Sequence, residues 1–483
     1  MNPFKKLLGQ TAVYGLSSIV GRLLNYLLVP LYTFVFKNPA DYGDVSLLYA
    51  WVAFLVVFLT FGMETTYFRF LNFKDNKNGV YQNSFFTLLV LNSLFLLITL
   101  FFNQSIADLL LFSEHNEYVV LLALIVYVDS INALPLAKLR AEEKAFTFAG
   151  IQIISIVVNI IFNLVFMLVF FNNDRPEEGV FFILLINLIS SLTKSVFLFR
   201  NFKLNIAFFD VHLIIDMLKY AFPLVIAGFA GIINETLDRI LLERILFIGG
   251  KSLHEAKTEV GIYSAVYKLA MLVTIFLQAY RYAAEPFFFS QAKSENKNEM
   301  YVKTMNYFIA AVCFVFLFVS LNIDIFKYFI QNESYWVGLQ VVPILLMANV
   351  CLGIYYNQSI WYKLSGQTKF GAYISIGGAL LTILLNVLFI PFYGFYACAW
   401  ATLIVYACQM SASYFLGQKF HPIPYNIKRF ALYILFSLAL FFISKSLESS
   451  RTIYTLLINN LLIILFIIVV LRVEKGKLFT KSL

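Results

Sequence analysis

Long apolar runs alternate with short polar segments along the whole chain. Most runs reach the ~20 residues that a helix needs to cross a lipid bilayer. Apolar runs of this length, with few charges, are typical of membrane helices. The pattern therefore predicts an all-α integral membrane protein of about 14 transmembrane helices. We place the spans at Leu7–Phe36, Val45–Phe70, Phe85–Phe102, Tyr118–Leu136, Phe148–Phe171, Val180–Phe199, Met217–Ile248, Gly261–Phe289, Tyr307–Leu321, Trp336–Ile360, Phe370–Ile390, Phe395–Leu416, Phe430–Ile443 and Thr452–Leu471.

Composition supports this class, since 61% of the 483 residues are hydrophobic and only 13% are charged. A soluble protein of this length could not bury so much apolar surface, because even large cores leave a polar exterior. The net charge of +9 does not indicate nucleic-acid binding. The Lys and Arg residues lie in short segments between the runs and form no patch with interleaved aromatic residues.

The basic residues also predict the orientation in the membrane. About 25 of the 36 Lys and Arg residues fall in alternate segments, on the side that holds both termini, against roughly eight on the other side. Loops enriched in Lys and Arg face the cytoplasm. We therefore expect both termini in the cytoplasm of the cell. No connecting segment is long enough for a soluble catalytic domain.

A weak internal repeat relates the second span to the eighth. Tyr42–Tyr49 (YGDVSLLY) resembles Val260–Tyr267 (VGIYSAVY) at a shift of 218 residues. Chance similarity between Phe- and Tyr-rich helices is the alternative. Six helices repeated once, followed by two more, is a transporter-like organisation. The predicted divisions are an N-terminal lobe at 1–210, a C-terminal lobe at 211–420, and two additional helices with a cytoplasmic tail at 421–483.

Ionisable residues inside spans indicate candidate functional positions, because each costs ~3 kcal/mol to insert unless it meets a partner or a water-filled cavity. Arg22 lies near the middle of the first run, too deep to extend easily to either surface. It either pairs with a carboxylate, for which Asp129 in the fourth span is available, or lines a cavity. We favour the cavity.

The seventh span carries Glu235, Asp238, Arg239, Glu243 and Arg244. A spacing of four residues places Glu235, Arg239 and Glu243 on one helix face, where they could neutralise one another. The alternative is a proton or cation site that uses Asp238 or Glu235, since the carboxylates leave net negative charge around Arg239. The sequence leaves both interpretations open.

The eighth span adds two cations. Lys268 lies close enough to the outer end to extend to it, and Arg281 forms an i, i+4 pair with Glu285 near the inner end. No spacing of His, Cys or carboxylate residues matches a catalytic or metal site, so we predict no enzyme activity and no metal. Amides within spans are expected mainly to link helices. They are Asn159, Asn163, Asn187, Asn349, Asn357, Gln358, Asn386 and Gln409.

Three segments resemble a known family: Tyr42–Phe70, Ala230–Glu243 (AGIINETLDRILLE) and Val260–Lys293. They are similar to the polysaccharide (O-antigen type) flippases of the multidrug/oligosaccharidyl-lipid/polysaccharide (MOP) exporter superfamily. The resemblance extends from the first span to about residue 420. It implies two six-helix lobes around a central cavity, plus two C-terminal helices.

The resemblance also implies a function, namely alternating-access translocation of an undecaprenyl-diphosphate-linked oligosaccharide across the bacterial inner membrane for polysaccharide or lipopolysaccharide biosynthesis. Cationic cavity residues bind the diphosphate in such flippases, and we carry over Arg22, Arg239, Lys268 and Arg281 as candidates. Coupling to Na⁺ or H⁺ would suit the family, with Asp238 or Glu235 as its site. No other cofactor is expected. The expected partners are the lipid-linked oligosaccharide, membrane lipid and other glycan-assembly membrane proteins, around a monomeric transporter.

Two other functions remain as alternatives. A cation-coupled drug antiporter of the same fold would have a cavity dominated by carboxylates, whereas Arg22 lies at mid-membrane here. A membrane-embedded glycan polymerase or ligase would need a large outer loop with paired carboxylates or His, and the outer loops are short.

Arg22→Ala is expected to abolish glycan export at unchanged protein abundance, because the phosphate would lose its bidentate hydrogen bonds. Arg22→Lys should restore only part of the export, since an ammonium cannot donate in the same fork. The measurement is surface glycan against the amount of membrane protein. Full export by the alanine variant would contradict a cavity role.

Overall fold

A computed structural model describes residues 15, 19–21, 23–24, 26–73, 76–172, 174–202, 204–291, 296–447 and 452–478. Within this part of the chain, 13 helices are long and apolar enough to cross a membrane. The all-α membrane fold is thereby confirmed. The first half of the predicted span Leu7–Phe36 lies largely outside the described residues, so the fourteenth helix stays a prediction.

Contacts group the chain into two compact units, Met1–Gly261 and Ile262–Leu483. The lobe boundaries expected from the repeat are not tested by this grouping and stay a prediction. The first unit contains α1 (Leu28–Val35), α2 (Pro39–Thr60), α3 (Met63–Phe73), α4 (Lys77–Phe101), α5 (Asn103–Leu109), α6 (Asn116–Ala141), α7 (Ala145–Val165, continued by the π-helical turn Phe166–Phe170), α8 (Pro176–Leu198), α9 (Val211–Ile248) and the start of α10 (Leu253–Gln291).

The second unit contains the rest of α10 and eight further helices within the described residues. They are α11 (Lys297–Leu321), α12 (Ile323–Phe326), α13 (Val342–Gln358), α14 (Ile360–Leu364), α15 (Lys369–Tyr393), α16 (Phe395–Phe420), α17 (Ile427–Ser446) and α18 (Thr452–Leu478). Short 3₁₀ turns at Phe199–Asn201 and Ile206–Phe208 precede α9, and others at Lys327–Phe329 and Glu333–Val341 precede α13.

Several helices begin where a polar side chain caps free backbone N–H groups. The side chain of Asn38 accepts a hydrogen bond from the Ala40 N–H, and Pro39 occupies the first helical turn of α2. Asp210 caps α9 in the same way, through the Leu213 N–H, and Asn426 caps α17 through the Arg429 N–H. These caps explain why the helices start at the short polar segments between apolar runs.

The second span is interrupted between α2 and α3. Phe61 and Gly62 have φ values of 49° and 61°, in the left-handed region that favours glycine. A Cβ on Gly62 would lie 3.1 Å from the Leu224 Cβ of α9. The irregular backbone is therefore covered by protein, as a break inside a membrane span must be.

The helices α2 and α10 cross at a pair of glycines, Gly43 and Gly261. A Cβ on Gly43 would overlap the carbonyl oxygen of Lys257, and a Cβ on Gly261 would overlap that of Pro39. The contact is reciprocal under the shift of 218 residues that relates Tyr42–Tyr49 to Val260–Tyr267. The two backbones touch because neither glycine has a side chain.

In the second unit, polar contacts fix the last two helices. The Arg429 guanidinium lies 3.2 Å from Glu474 Oε1, and the Tyr433 hydroxyl donates to the same oxygen at 2.6 Å. At the other end of the pair, Ser444 Oγ lies 2.6 Å from Asn459 Oδ1. These contacts join α17 to α18 at both ends.

Candidate functional site

The predicted site residues are distributed over both units. Arg22 lies outside the described residues. Glu235, Asp238 and Arg239 lie on α9 in the first unit, and Lys268 and Arg281 lie on α10 in the second. The two sets of residues therefore belong to different units.

Arg239 is buried beside one of the predicted coupling carboxylates. Its Nη1 donates to Asp238 Oδ1 at 3.1 Å and to the Glu235 carbonyl oxygen at 3.0 Å. Arg239 and Asp238 are only 9% and 5% exposed, and each of the three residues has further interactions. The neighbouring carboxylate thus compensates the positive charge of Arg239 inside the protein.

Glu243 does not join the expected ladder with Glu235 and Arg239. It is 0% exposed, and neither carboxylate oxygen has a hydrogen-bond partner in the described structure. Arg244 Nε lies 3.9 Å from Glu243 Oε2, too far for a hydrogen bond. The ladder interpretation of the i, i+4 spacing therefore does not hold for Glu243, and Arg239 bonds to the adjacent carboxylate of Asp238.

An ion pair that the sequence did not suggest joins α2 to α10. Lys257 Nζ lies 2.7 Å from Asp44 Oδ1 and 4.2 Å from the centre of the Phe112 ring. The Lys257 side chain is 12% exposed and the Asp44 side chain 21% exposed. Lys257 falls between the predicted spans Met217–Ile248 and Gly261–Phe289, whereas the structure places it on α10, one turn before the Gly43–Gly261 crossing. Its position one helical turn before Gly261 is the signal that could have identified it.

Asp129, proposed as a partner for Arg22, has other partners. Lys194 Nζ of α8 lies 2.5 Å from Asp129 Oδ1, and Ser191 Oγ donates to the same oxygen at 2.8 Å. Lys194 lies toward the end of the predicted span Val180–Phe199, and its long flexible side chain reaches Asp129. Asp129 is thereby neutralised from α8.

Five polar side chains form a hydrogen-bonded chain across four helices of the first unit. Tyr32 donates to Asn163 at 2.8 Å, Asn163 to Asn159 at 3.2 Å, and Asn159 to Asn187 at 3.2 Å. Asn187 then donates to the Tyr49 hydroxyl. This chain confirms the helix-linking interpretation for the three asparagines.

In the second unit, Arg281 lines a pocket at the carboxyl-terminal ends of α10 and α13. The pocket is small, with a volume of about 10 Å³, and part of it is open to the surroundings. Polar groups from both helices face it, and the Arg281 guanidinium lies 4.8 Å from the centre of the Tyr356 ring. The polar lining residues are Tyr280, Arg281, Tyr356, Asn357, Ser359 and Lys363.

The two helices around this pocket are joined by amides. Asn349 Nδ2 donates to the Ala270 carbonyl at 3.0 Å, and Asn357 Nδ2 donates to the Tyr280 hydroxyl. Arg281 is exposed, and no described carboxylate pairs with it. The described lining of the pocket thus carries two cations, Arg281 and Lys363, and no carboxylate, a set that suits an anion.

Lys268 does not belong to this pocket. It lies 13 residues before Arg281 on the same helix, about 20 Å along the axis at ~1.5 Å per residue. The second cation that lines the pocket is Lys363, which was not among the candidate residues from the sequence.

A family model described as polysaccharide biosynthesis protein matches residues 7–292. A curated protein of Haemophilus influenzae, "Lsg locus putative protein 1", is 22% identical over 302 residues, which cover 60% of this chain and 68% of that protein. The fold is similar to that of the lipid II flippase MurJ in its inward closed conformation, with a TM-score of 0.72, 16% identity, and coverage of 95% of this chain and 98% of that chain. It is also similar to an inward-facing multidrug resistance MATE family transporter of the MOP superfamily, with a TM-score of 0.66, 14% identity, and coverage of 82% and 93%.

Proposed function

The chain belongs to the polysaccharide biosynthesis protein family and has a MOP-superfamily transporter fold, and we propose that it translocates an undecaprenyl-diphosphate-linked oligosaccharide across the bacterial inner membrane. The observation that carries this proposal is the cationic pocket with Arg281 and Lys363. Lipid II flippase MurJ, named for a lipid-linked substrate, shares the fold.

The chemistry of the pocket suits a phosphate group linked to a sugar. A guanidinium offers paired N–H donors that match phosphate oxygens, and an ammonium adds a point charge. Tyr280, Asn357 and Ser359 are neutral groups of the kind that hydrogen-bond sugar hydroxyls. A drug cation would be repelled by this set of charges, so the pocket argues for the anionic substrate over the antiporter alternative.

Transport would proceed by alternating access. Moving a diphosphate through ~30 Å of hydrocarbon requires protein groups that replace its water. The polyprenyl tail would stay in lipid while the cations hold the head group. Binding of the substrate can shift the conformation only if the two conformations bind it with different affinity. In this proposal the transporter acts as a monomer, with both termini in the cytoplasm, and catalyses no chemical step.

The test is translocation in proteoliposomes that contain the purified full-length protein. The probe is an NBD-labelled polyprenyl-diphosphate disaccharide, and dithionite added outside measures how much of it remains protected. The wild-type protein should move the probe across the membrane faster than protein-free vesicles do, and unlabelled polyprenyl-diphosphate disaccharide should compete. Absence of protein-dependent movement, or protein-dependent uptake of ethidium instead, would overturn the proposal.

A further inference from the structure

Glu243 is buried in the first unit, with an exposed fraction of 0%. Neither oxygen of its carboxylate accepts a hydrogen bond from a described residue. Arg244 Nε lies 3.9 Å from Glu243 Oε2, beyond hydrogen-bond distance, and Arg244 Nη2 donates to the Leu109 carbonyl oxygen. Lys257, the other nearby cation, points its ammonium at Asp44 Oδ1, 2.7 Å away.

An ionised carboxylate in this position would be costly. Removing such a group from water costs several kcal/mol unless good hydrogen bonds and a close counter-ion compensate it. The Glu243 carboxylate accepts no hydrogen bond from any described residue. The ammonium of Lys257 already pairs with the Asp44 carboxylate. Binding a proton removes the charge and with it most of that cost.

We propose that Glu243 is a proton-binding site, occupied while the Gly43–Gly261 crossing is closed. Its role in coupling a proton to transport rests on the proposed function, whereas proton binding itself does not. This assigns the site to Glu243 in place of Asp238 or Glu235. Asp238 is the weaker choice, because its carboxylate already accepts a hydrogen bond from the Arg239 guanidinium, which compensates its charge.

The site is linked to conformation through the helix crossing. Asp44 follows Gly43 directly, and the Lys257 carbonyl is the group that Gly43 touches. Separation of α2 from the start of α10 would break the Asp44–Lys257 pair and admit water to Glu243. Since water stabilises the ionised form, the proton would leave in that state. By linkage, proton binding favours the closed crossing.

The charges around Glu243 favour a proton over a metal cation. A hard cation needs several oxygen ligands, and no described group of three or more His, Cys, Asp or Glu residues could hold a metal ion. The ammonium of Lys257 would also repel a cation. Charged groups that act on Glu243 or on Asp44 are Lys257 and His254 from α10, Asp44 and Asp41 from α2, His115 before α6, and Arg244 from α9. The charged residues of α3 and the start of α4 are Glu64, Arg69 and Lys77. Arg69 stacks on Tyr220, near the start of α9, and Glu64 pairs with Arg140.

The test is infrared difference spectroscopy of the purified full-length protein in nanodiscs without substrate, titrated between acidic and alkaline buffer in K⁺. The wild-type protein should show the C=O band of a buried carboxylic acid that is lost on alkalinisation. Glu243→Gln should lose this band, and Glu243→Asp should keep it at a shifted frequency. The matched control Glu259→Gln should retain it, because Glu259 is paired with Lys251 at 2.7 Å.

Three outcomes overturn the proposal: no such band in the wild-type protein, the same band in Glu243→Gln and wild type, or loss of the band on adding Na⁺ at constant acidic pH.

The coupling role is tested separately in proteoliposomes. A pH gradient should accelerate translocation by the wild-type protein, and Glu243→Gln should lose that acceleration while still binding polyprenyl diphosphate. If translocation is absent in the wild-type protein while the band persists, the proposed function fails and the proton site stands.

Discussion

Replacing Gly261 with alanine is expected to destabilise the protein by about 1–3 kcal/mol, the usual cost of forcing extra atoms into a closed contact. The new Cβ would overlap the Pro39 carbonyl oxygen. That oxygen belongs to a helix backbone and cannot rotate away as a side chain could, so α2 and α10 must move apart. Thermal unfolding of the purified full-length protein measures the effect, since each kcal/mol corresponds to ~2–4 °C in proteins of moderate size.

The chain offers a matched control in Gly231 on α9. An added Cβ there would meet nothing within 4 Å. Gly231→Ala should therefore leave the melting temperature unchanged or raise it, because alanine favours a helix by up to about 1 kcal/mol over glycine. Equal melting of the Gly261→Ala and Gly231→Ala variants would contradict a closed crossing.

Gly43→Ala extends the same test to the other half of the crossing. Alone it should cost about as much as Gly261→Ala, because it overlaps the Lys257 carbonyl oxygen. The double variant should cost clearly less than the two single costs together, since the first Cβ already separates the helices. Simple additivity would show that the two glycines do not share one contact.

The positions of the spans were predictable, because a bilayer leaves few alternatives. Backbone groups in lipid must be satisfied within the helix, so each apolar run of sufficient length becomes a helix. Even the short thirteenth run forms one, Ile427–Ser446, since the Asn426 cap adds a turn before it. The break at Phe61–Gly62 was not predicted, because an isolated glycine within an apolar run is often tolerated inside a helix.

The charge partners were much less predictable. Asp129 pairs with Lys194, which is 65 residues away in sequence. Arg239 bonds to the adjacent Asp238, although i, i+4 spacing favours Glu235 and Glu243. Side-chain rotamers and the packing of distant helices decide such pairs, and one sequence contains neither.

For the pocket lined by Arg281, the predicted topology indicates the side of the membrane but not the full set of lining residues. The eighth and tenth spans both run toward the inner side, so charges at their ends were expected on one surface. Which of them share a pocket depends on the contacts of α10 with α13, made through Asn349 and Asn357. The sequence therefore identified Arg281 but not its companion Lys363.

Replacing both Arg281 and Lys363 with glutamine is expected to reduce translocation of the polyprenyl-diphosphate probe at least about tenfold. Hydrogen bonds to charged groups contribute ~1.5–3 kcal/mol each, and 1.4 kcal/mol corresponds to a factor of ten. Arg281→Gln alone should account for more of the loss than Lys363→Gln, because only the guanidinium can bind phosphate in a bidentate manner. Arg281→Lys should keep the charge and recover only part of the rate.

Lys369→Gln is the matched control for this pair. Lys369 begins α15 five residues after α14 ends, is exposed, and does not line the pocket. The substitution removes the same charge close by in sequence, so it separates loss of the pocket from a general change in surface potential. If Lys369→Gln lowers the rate as much as the double variant does, the pocket does not bind the phosphate, and the substrate cations must lie elsewhere. A rate that depends on Arg281 and Lys363 but not on Lys369 requires direct contact between this pocket and an anionic head group, because screening by salt weakens more distant effects.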